Sequence, residues 1–456
     1  MEQNGVIQPP AAVLEVLDRL ESAGFQAWCV GGCVRDSLLG KRPFDWDIAT
    51  SAFPQETQAC FAGEQIIEIG LSHGTVALVR KTGHPVEITS FRVETGYTDG
   101  RHPDSVVFSR CLKNDLSRRD FTVNAMAYHP KRGLVDLFGG KEDLKQKILR
   151  CVGEPAERFS EDALRILRCL RFSAQLGFAV EENTRRALWQ AKSLLSGLSQ
   201  ERVREELTKL LCGEYAAGVL REYAEIVFEV LPQLAPMKGC TQETRFHCYD
   251  VWEHTLHAVD HAPKSPELRW AALLHDSGKP AKKTFSPDGV AHFYGHPPES
   301  GRLAREILGR LRFANRQKEQ IALLVDHHED RLPMEEKHLK KLLGQYGEEE
   351  VARLFELMEA DMSAKAPGIY ELRLPDLEAS RTLAREILSR GDCLTLKGMA
   401  LDGKALRDMG VPVGPEIGKI LRCLLDEVLE GKLPNEKALL MERARQLMQN
   451  RAEDAQ

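Results

Sequence analysis

An α+β multi-domain fold, with a small mixed α/β head followed by all-helical domains, is what this chain predicts. Three observations carry that expectation. Short apolar runs ending at glycine turns are confined to residues 1 to about 145. From about 146 onward, amphipathic segments of helical period recur between Gly/Pro breaks. The length of 456 residues exceeds one ordinary core, so two to four domains are expected.

Taken in order, Ala27-Trp28-Cys29-Val30 is short and apolar and stops at Gly31-Gly32, so it reads as a strand entering a turn. Arg35 through Leu39 then opens a helix. Glycines at such a turn let backbone N–H groups approach a phosphate with no side chain in the way. Phe44-Asp45-Trp46-Asp47-Ile48-Ala49 alternates as a strand does, and residues i and i+2 of a strand share a face, so Asp45 and Asp47 aim at one point. Two hard oxygen donors converging there suit Mg²⁺, which binds through one or two carboxylates plus substrate phosphates. A bare D-x-D is more often a solvated strand face; the glycine pair and Arg35 just upstream favour the metal. Ile66–Ile69, Thr75–Val79 and Val86–Thr89 complete the strands. Helices are expected over 161–176, 200–212, 300–312, 316–328, 349–363 and 416–429, with breaks near Glu154-Pro155, Leu231-Pro232 and Leu374-Pro375. The implied division is 1–145, 146–240, 241–370 and 371–456.

Composition narrows the classes. At 43% apolar and 29% charged the chain is globular, and no apolar run is long enough to cross a membrane. MEQNGVIQPP lacks a basic region followed by an apolar stretch, so no secretory signal is read and a cytoplasmic location is expected. Eleven scattered cysteines without a C-x-x-C pair argue for reduced thiols and against a zinc ribbon. The net charge of −6 speaks mildly against nucleic acid, yet residues 101–175 hold fifteen Lys/Arg against ten Asp/Glu. A partner with phosphates could lie along that segment, although a solvated charged face gives the same count.

Two further segments carry arginines. Ser117-Arg118-Arg119-Asp120-Phe121-Thr122-Val123-Asn124 places Arg118 and Arg119 before an apolar stretch. Arginine binds triphosphate oxygens bidentately, and surface arginines beside an Asp120 helix cap would look the same. In Glu161-Asp162-Ala163-Leu164-Arg165, Asp162 and Arg165 lie at i and i+3 and are read as neighbours on one helix face, with Arg168 and Arg171 continuing along it. A surface ion pair is the plain alternative. The sharper one is base selection. Cytosine and adenine both carry an amino donor beside a ring-nitrogen acceptor, so an acceptor next to donors would take C and A and refuse G and U.

GGCVRDSLLG with DWD, RRDFTVNAMA and EDALRILRCLRF together resemble the class II tRNA nucleotidyltransferase and bacterial poly(A) polymerase family, of the polymerase-β superfamily. Ser199–Leu207 is similar to its neck-helix motif, and the resemblance spans roughly residues 20 to 235. It implies a polymerase-β-like head that adds C, C and A to the tRNA 3′ end from CTP and ATP. Asp45 and Asp47 would hold Mg²⁺, with Glu87 as a candidate third carboxylate. Gly31, Gly32 and Arg35 would meet the triphosphate, and Arg118, Arg119, Asp162, Arg165, Arg168 and Arg171 the incoming nucleotide. Glu94–Pro103 is similar to the loop of members that add the terminal A, with His102 where a second arginine is usual. The alternatives are a poly(A) polymerase or A-adding-only enzyme, and, from another class, a nucleotide-binding regulator with an inactive head.

A separate pattern follows. His254, the pair His275-Asp276 behind the apolar run Trp270–Leu274, His296, His328 and Asp361 offer N and O donors suited to one or two divalent transition ions (Mn, Ni, Co or Fe). Residues 245 to 365 resemble the HD phosphohydrolase domain, which implies hydrolysis of a phosphomonoester or 2′,3′-cyclic phosphate. A domain that only supports tRNA is the competing view. Last, Gly410–Gly418 would either hold a tRNA phosphate or make a tight inter-helix turn. Oligomeric state is not legible.

Overall fold

The computed structural model describes residues 6–70, 74–79, 85–95 and 105–454. Two compact units divide the chain, Met1–Ala235 and Pro236–Gln456. The expected loop Glu94–Pro103 lies, from Gly96 on, outside the described residues.

The first unit opens with α1 (Ala11–Ser22), whose Val13, Val16, Leu17 and Leu20 recur at helical spacing and are all buried. Next come β1 (Ala27–Val30), α2 (Gly32–Leu38), β2 (Asp47–Thr50), α3 (Pro54–Cys60), β3 (Ile66–Gly70), β4 (Thr75–Leu78) and β5 (Val86–Ser90). A separate antiparallel pair, β6 (Arg92–Thr95) and β7 (Ser105–Phe108), follows. Then α4 (Leu112–Ser117), β8 (Met126–His129), β9 (Gly133–Asp136) and α5 (Gly140–Gln146) close the head. Seven strands form one mixed sheet in the order β3-β4-β5-β2-β1-β8-β9. Among the described residues only β2 and β5 run parallel in it. That pairing decides the chemistry below.

Two expectations shift here. Alternation from Phe44 suggested a strand, but β2 begins at Asp47, leaving Asp45 in the exposed segment before it. Val30, the last residue of β1, already pairs with Asp47, and Gly31-Gly32 turn into α2, so Asp45 has no β1 residue opposite it. The helix read from Arg35 begins at Gly32, directly behind Gly31.

After β10 (Ile148–Leu149), which pairs in parallel with β11 (Ala179–Val180), the body is helical: α6 (Pro155–Glu161), α7 (Leu164–Leu176), α8 (Glu182–Ala191), α9 (Gln200–Leu211), α10 (Ala216–Glu222) and α11 (Ala224–Val230). Pro155 opens α6 at its first turn, as proline does well. The expected helix 161–176 is two helices. Asp162 ends α6 in an extended conformation (φ −143°, ψ 102°), and its Oδ1 accepts the N–H of Leu164, the first residue of α7, at 3.0 Å, so it breaks the helix in two.

The second unit contains α12 (Val251–His261), α13 (Pro266–Leu274), α14 (Lys279–Lys282), the small ladder of β12 (Thr284–Phe285) and β13 (Ala291–His292), α15 (His296–Arg310), α16 (Asn315–His327), α17 (Glu336–Tyr346), α18 (Glu348–Ser363), α19 (Ile369–Arg390), α20 (Gly403–Asp408), α21 (Pro415–Leu429) and α22 (Lys437–Asp454). A break at Leu374-Pro375 does not occur. Pro375 sits inside α19, where it removes one backbone bond at a cost of about 3 kcal/mol. Leu377, Ser380, Ala384 and Ile387, buried behind it, hold the helix together. Gly410–Gly418 includes the turn between α20 and α21, with Gly410 at φ +93°, beside a small core that includes Leu406, Val411, Ile420 and Leu424. No helix among the described residues is long and apolar enough to cross a membrane.

Candidate active sites

The head site grows from three adjacent strand ends. Val30 faces Asp47 across β1/β2, and Asp47 faces Glu87 across the parallel β2/β5 pair. Partners in register share a face, so Asp47 and Glu87 stand side by side although forty positions separate them. Burial pushes the Asp47 carboxyl above its ordinary value; Arg119 opposes this and Asp45 adds to it. Glu87 is raised by burial, then by Asp47 and Asp45. Carboxylates crowded at one strand end, where Asp45 raises Asp47 and both raise Glu87, are poised for a cation. The donor set, hard oxygen only, fits a divalent ion of the Mg²⁺ kind.

Gly31 makes room for this. Its φ of +75° is left-handed, and a Cβ there would stand 2.9 Å from Arg119 Nη1 and 3.9 Å from Asp47 Oδ2. Arg119 is in turn held by Asp115, a residue the sequence reading missed. Asp115 is fully buried; its Oδ1 accepts from Arg118 Nε (3.0 Å) and Nη2 (2.6 Å), its Oδ2 from Arg119 Nη2 (3.0 Å). Burial alone would raise this carboxyl, but Arg119 and Arg118 together hold it below the ordinary range. The signal was present, because 115, 118 and 119 are spaced i, i+3, i+4 on a helix and its end.

Arg35 is committed inward. Its Nη1 donates to Asn124 Oδ1 at 2.7 Å and its Nε to Asp36 at 2.8 Å, and its guanidinium lies 5.1 Å from the Phe172 ring centre. Arg168 (5.4 Å) and Arg171 (4.0 Å) approach the same ring. Arg168 donates Nε and Nη2 to Asp120 Oδ2 at 2.8 and 2.6 Å, and Arg171 pairs with Glu206 at 2.7 Å. Asp120 also accepts from Asn124 Nδ2 and the Phe121 N–H; despite complete burial its carboxyl is held well below the ordinary range by these partners, Arg168 foremost. Asp120, Asn124 and Glu206 therefore brace the arginines, a role beyond what Asp120 as a helix cap implied.

The Asp162–Arg165 pair is overturned. Since Asp162 is extended, three-residue helical spacing does not apply to it. Its Oδ2 accepts from Arg202 Nη2 at 2.7 Å, in the Ser199–Leu207 motif. Arg165 instead donates to Glu161 Oε2 (2.5 Å), Arg158 O and Arg118 O (both 3.0 Å). An acceptor beside a guanidinium survives, with Arg202 supplying the donors.

In the second unit all six expected residues meet, and all are buried. Four imidazoles are oriented alike, each with Nδ1 on a backbone carbonyl: His254 on Ala364 O (3.1 Å), His275 on Ala272 O (2.8 Å), His296 on Phe293 O (2.9 Å) and His328 on Val325 O (2.8 Å). Nδ1 on a carbonyl turns each Nε2 toward a common centre, the orientation metal-ligating histidines use. The Nε2 atoms then converge. His254 lies 3.3 Å from His275 and 2.9 Å from Asp361 Oδ1, and His296 lies 3.4 Å from His328. Asp276 stands between the pairs, Oδ2 3.2 Å from His275 and 3.4 Å from His254, Oδ1 3.2 Å from His296 and 3.6 Å from His328. Its Oδ2 has Lys279 as an ion-pair partner at 2.7 Å, and its Oδ1 has His296 and His328 near it among the described residues. Four imidazole nitrogens and two carboxylates converging within hydrogen-bond reach, with Asp276 between the pairs, are a donor set that suits divalent transition ions. Burial would lower His275, but Asp276 and Asp361 outweigh it and push it up to about 10. Lys279 on Asp276 (2.7 Å) and Lys365 on Asp361 (2.8 Å) balance the acids.

Three family profiles match, described as Poly A polymerase head domain over 27–150, probable RNA and SrmB-binding site of polymerase A over 177–237, and HD domain over 245–365. The CCA-adding enzyme of Lactobacillus delbrueckii subsp. bulgaricus is 35% identical over 433 residues, 94% of this chain and 96% of that protein. That of Geobacillus stearothermophilus is 33% identical, over 96% and 98%. The crystal structure of the Bacillus stearothermophilus CCA-adding enzyme in complex with CTP superposes with a TM-score of 0.72 at 31% identity, covering 97% of this chain and all of that one. With near-complete coverage on both sides and a carboxylate–arginine centre built on the matching head domain, the chain belongs to the family of CCA-adding enzymes.

Proposed function

We propose that this chain adds C, C and A, without a template, to the 3′ end of tRNA, using CTP and ATP and releasing pyrophosphate, in the cytoplasm. The observation that carries the reading is the Asp45–Asp47–Glu87 carboxylate cluster facing Arg119 across Gly31. Residues 1–145 would be the catalytic head, 146–240 the base-selecting and RNA-binding body, and 241–370 and 371–456 the HD domain and tail, the last two sharing α19.

Asp45 and Asp47, with Glu87, would hold Mg²⁺, which when bound lowers the pKa of the attacking 3′-hydroxyl and offsets charge on the α-phosphate. The chain's own groups do the rest. Arg119, fixed by Asp115, neutralises the triphosphate as pyrophosphate departs. The absence of a Cβ at Gly31 lets the guanidinium and the phosphates approach the strand end. Arg35 orients Asn124 and the α7 arginines through Phe172. Asp162, held by Arg202, offers an acceptor next to donors for the amino edge of cytosine or adenine. Incubating the protein with tRNAs lacking one, two or three 3′ nucleotides tests the reading. Completion of CCA from each supports it. Tails of A alone would move the chain to the poly(A) polymerase or A-adding branch, and no incorporation to the nucleotide-binding regulator.

The six-ligand centre favours a second reading, a metal-dependent phosphohydrolase acting on a phosphomonoester or 2′,3′-cyclic phosphate. Clefts of about 650 and 210 Å³ reach its ligands, the first lined by Arg245, His247 and Lys279 beside His296, the second by Arg331, Lys365 and Arg373 beside His328 and Asp361. Cationic walls suit a phosphate ester. Hydrolysis of a 2′,3′-cyclic nucleotide by the chain loaded with Mn, Ni, Co or Fe, lost in Asp276→Asn, would support it; absence of turnover leaves a supporting domain only.

A further inference from the structure

We propose that His327, Asp330 and His338 form a separate binding site for a first-row divalent cation of the zinc class, distinct from the buried HD centre. His327 ends α16, and the Asp330 N–H donates to its carbonyl at 3.0 Å, so both sit on one turn. His338 is the third residue of α17. From these two elements His327 Nδ1 and His338 Nε2 reach the same oxygen, Asp330 Oδ2, at 2.8 and 2.6 Å. One ligand atom from each residue lies within 4.8 Å of the other two. The ring centroids are 6.2 Å apart, with the planes tilted by 51°. The connecting segment is anchored where Met334 N–H donates to Ser380 Oγ at 2.9 Å, so the donors are held in place before any ion arrives.

The chemistry selects the class of ion. Two imidazole nitrogens and one carboxylate oxygen are a transition-ion set, unlike the all-oxygen shells of Mg²⁺ or Ca²⁺. Zn–N near 2.0–2.1 Å and Zn–O near 2.0–2.2 Å put neighbouring tetrahedral ligands about 3.3 Å apart. Each contact to Asp330 therefore opens by about half an ångström to admit the ion. On binding, the cation replaces the two ring protons that now point at Asp330 Oδ2. The side chains are partly exposed (24, 22 and 40%), so water can complete the shell. No ligand is shared with the HD centre, because the neighbouring His328 has Nδ1 on Val325 O and Nε2 directed at His296 and Asp276. A metal here would clip the end of α16 to the start of α17.

The full chain, stripped of metal, equilibrated with Zn²⁺ or Co²⁺ and freed of excess, is assayed for bound ion beside His338→Gln and Asp330→Asn. Each variant should retain about one ion fewer than the parent. The Co²⁺ difference spectrum, parent minus variant, should show visible ligand-field bands of a mixed nitrogen–oxygen site. An unchanged far-ultraviolet circular dichroism spectrum and thermal midpoint report that each variant is folded. Equal ion counts in all three proteins would leave a hydrogen-bonded triad and overturn the proposal. Loss of two or more ions would place the effect at the HD centre and overturn it equally.

Discussion

Asp115→Asn is the most informative single change, because it removes charge without volume from a fully buried position. The carboxylate accepts three charge-assisted hydrogen bonds, at 3.0, 2.6 and 3.0 Å, from two guanidiniums that are themselves mostly buried. Removing one member of a buried pair costs about 3–5 kcal/mol. An amide oxygen still accepts one or two of the bonds while its NH₂ faces donors, so about 3 kcal/mol is expected. At a urea slope near 3 kcal/mol/M, the head's unfolding midpoint falls by about 1 M. The pH dependence has a definite sign. An unfolded aspartate titrates near about 3.9, whereas Asp115 is held lower in the folded chain. The unfolded state thus binds more protons in that range, and the stability given by the pair is present at pH 7 and lost as pH falls through the folded value. The gap between parent and variant should therefore close on acidification below about pH 4. Urea titrations at pH 7 and at a descending series of pH values below the free carboxyl range, followed by tryptophan fluorescence, measure it. A gap that is absent at neutral pH, or unchanged in acid, would refute the assignment of Asp115 as the charge that fixes Arg118 and Arg119.

Other outcomes follow from the same geometry. Asp45→Ala or Asp47→Ala should lower nucleotide incorporation about a thousandfold or more, equivalent to roughly 4 kcal/mol of barrier, with tRNA binding by filter retention nearly intact. Gly31→Ala puts a side chain at φ +75° and 2.9 Å from Arg119, so single-turnover incorporation should fall about tenfold while the thermal midpoint moves by only a few degrees. Metal loading of the HD centre at pH 7.5 should release at least one proton per chain, read with a pH indicator. Because the acids keep His275 protonated up to about 10 in the metal-free protein, metal affinity should climb with pH toward that value.

What was legible in the sequence was short-range. The strand at Ala27–Val30 and the glycine turn were readable because strand period and glycine chemistry act over a few residues, whereas the strand read from Phe44 began too early, since Asp45 lies outside it. The HD ligands were readable across 107 positions only because a His-Asp doublet sits behind a buried run. The locking of four Nδ1 atoms on carbonyls was not, since it depends on where each helix ends. Pairings set by tertiary packing were invisible: Asp162 with Arg202 forty residues on, and Arg168 with Asp120 forty-eight residues back. The Asp162–Arg165 reading failed because periodicity assumes a continuous helix, and the capping preference of aspartate broke it. Asp115 was readable and overlooked.

The ring of Phe172, ringed by Arg35, Arg168 and Arg171, makes those four side chains a single thermodynamic unit. Substitutions among them should be non-additive, with coupling energies of about 0.5–3 kcal/mol. Replacing the phenylalanine alone would loosen three cations at once, while losing any one cation changes how the remaining two sit. Drift at these positions is therefore expected to come in compensated sets, and a variant library randomised one site at a time would underestimate what the cluster tolerates.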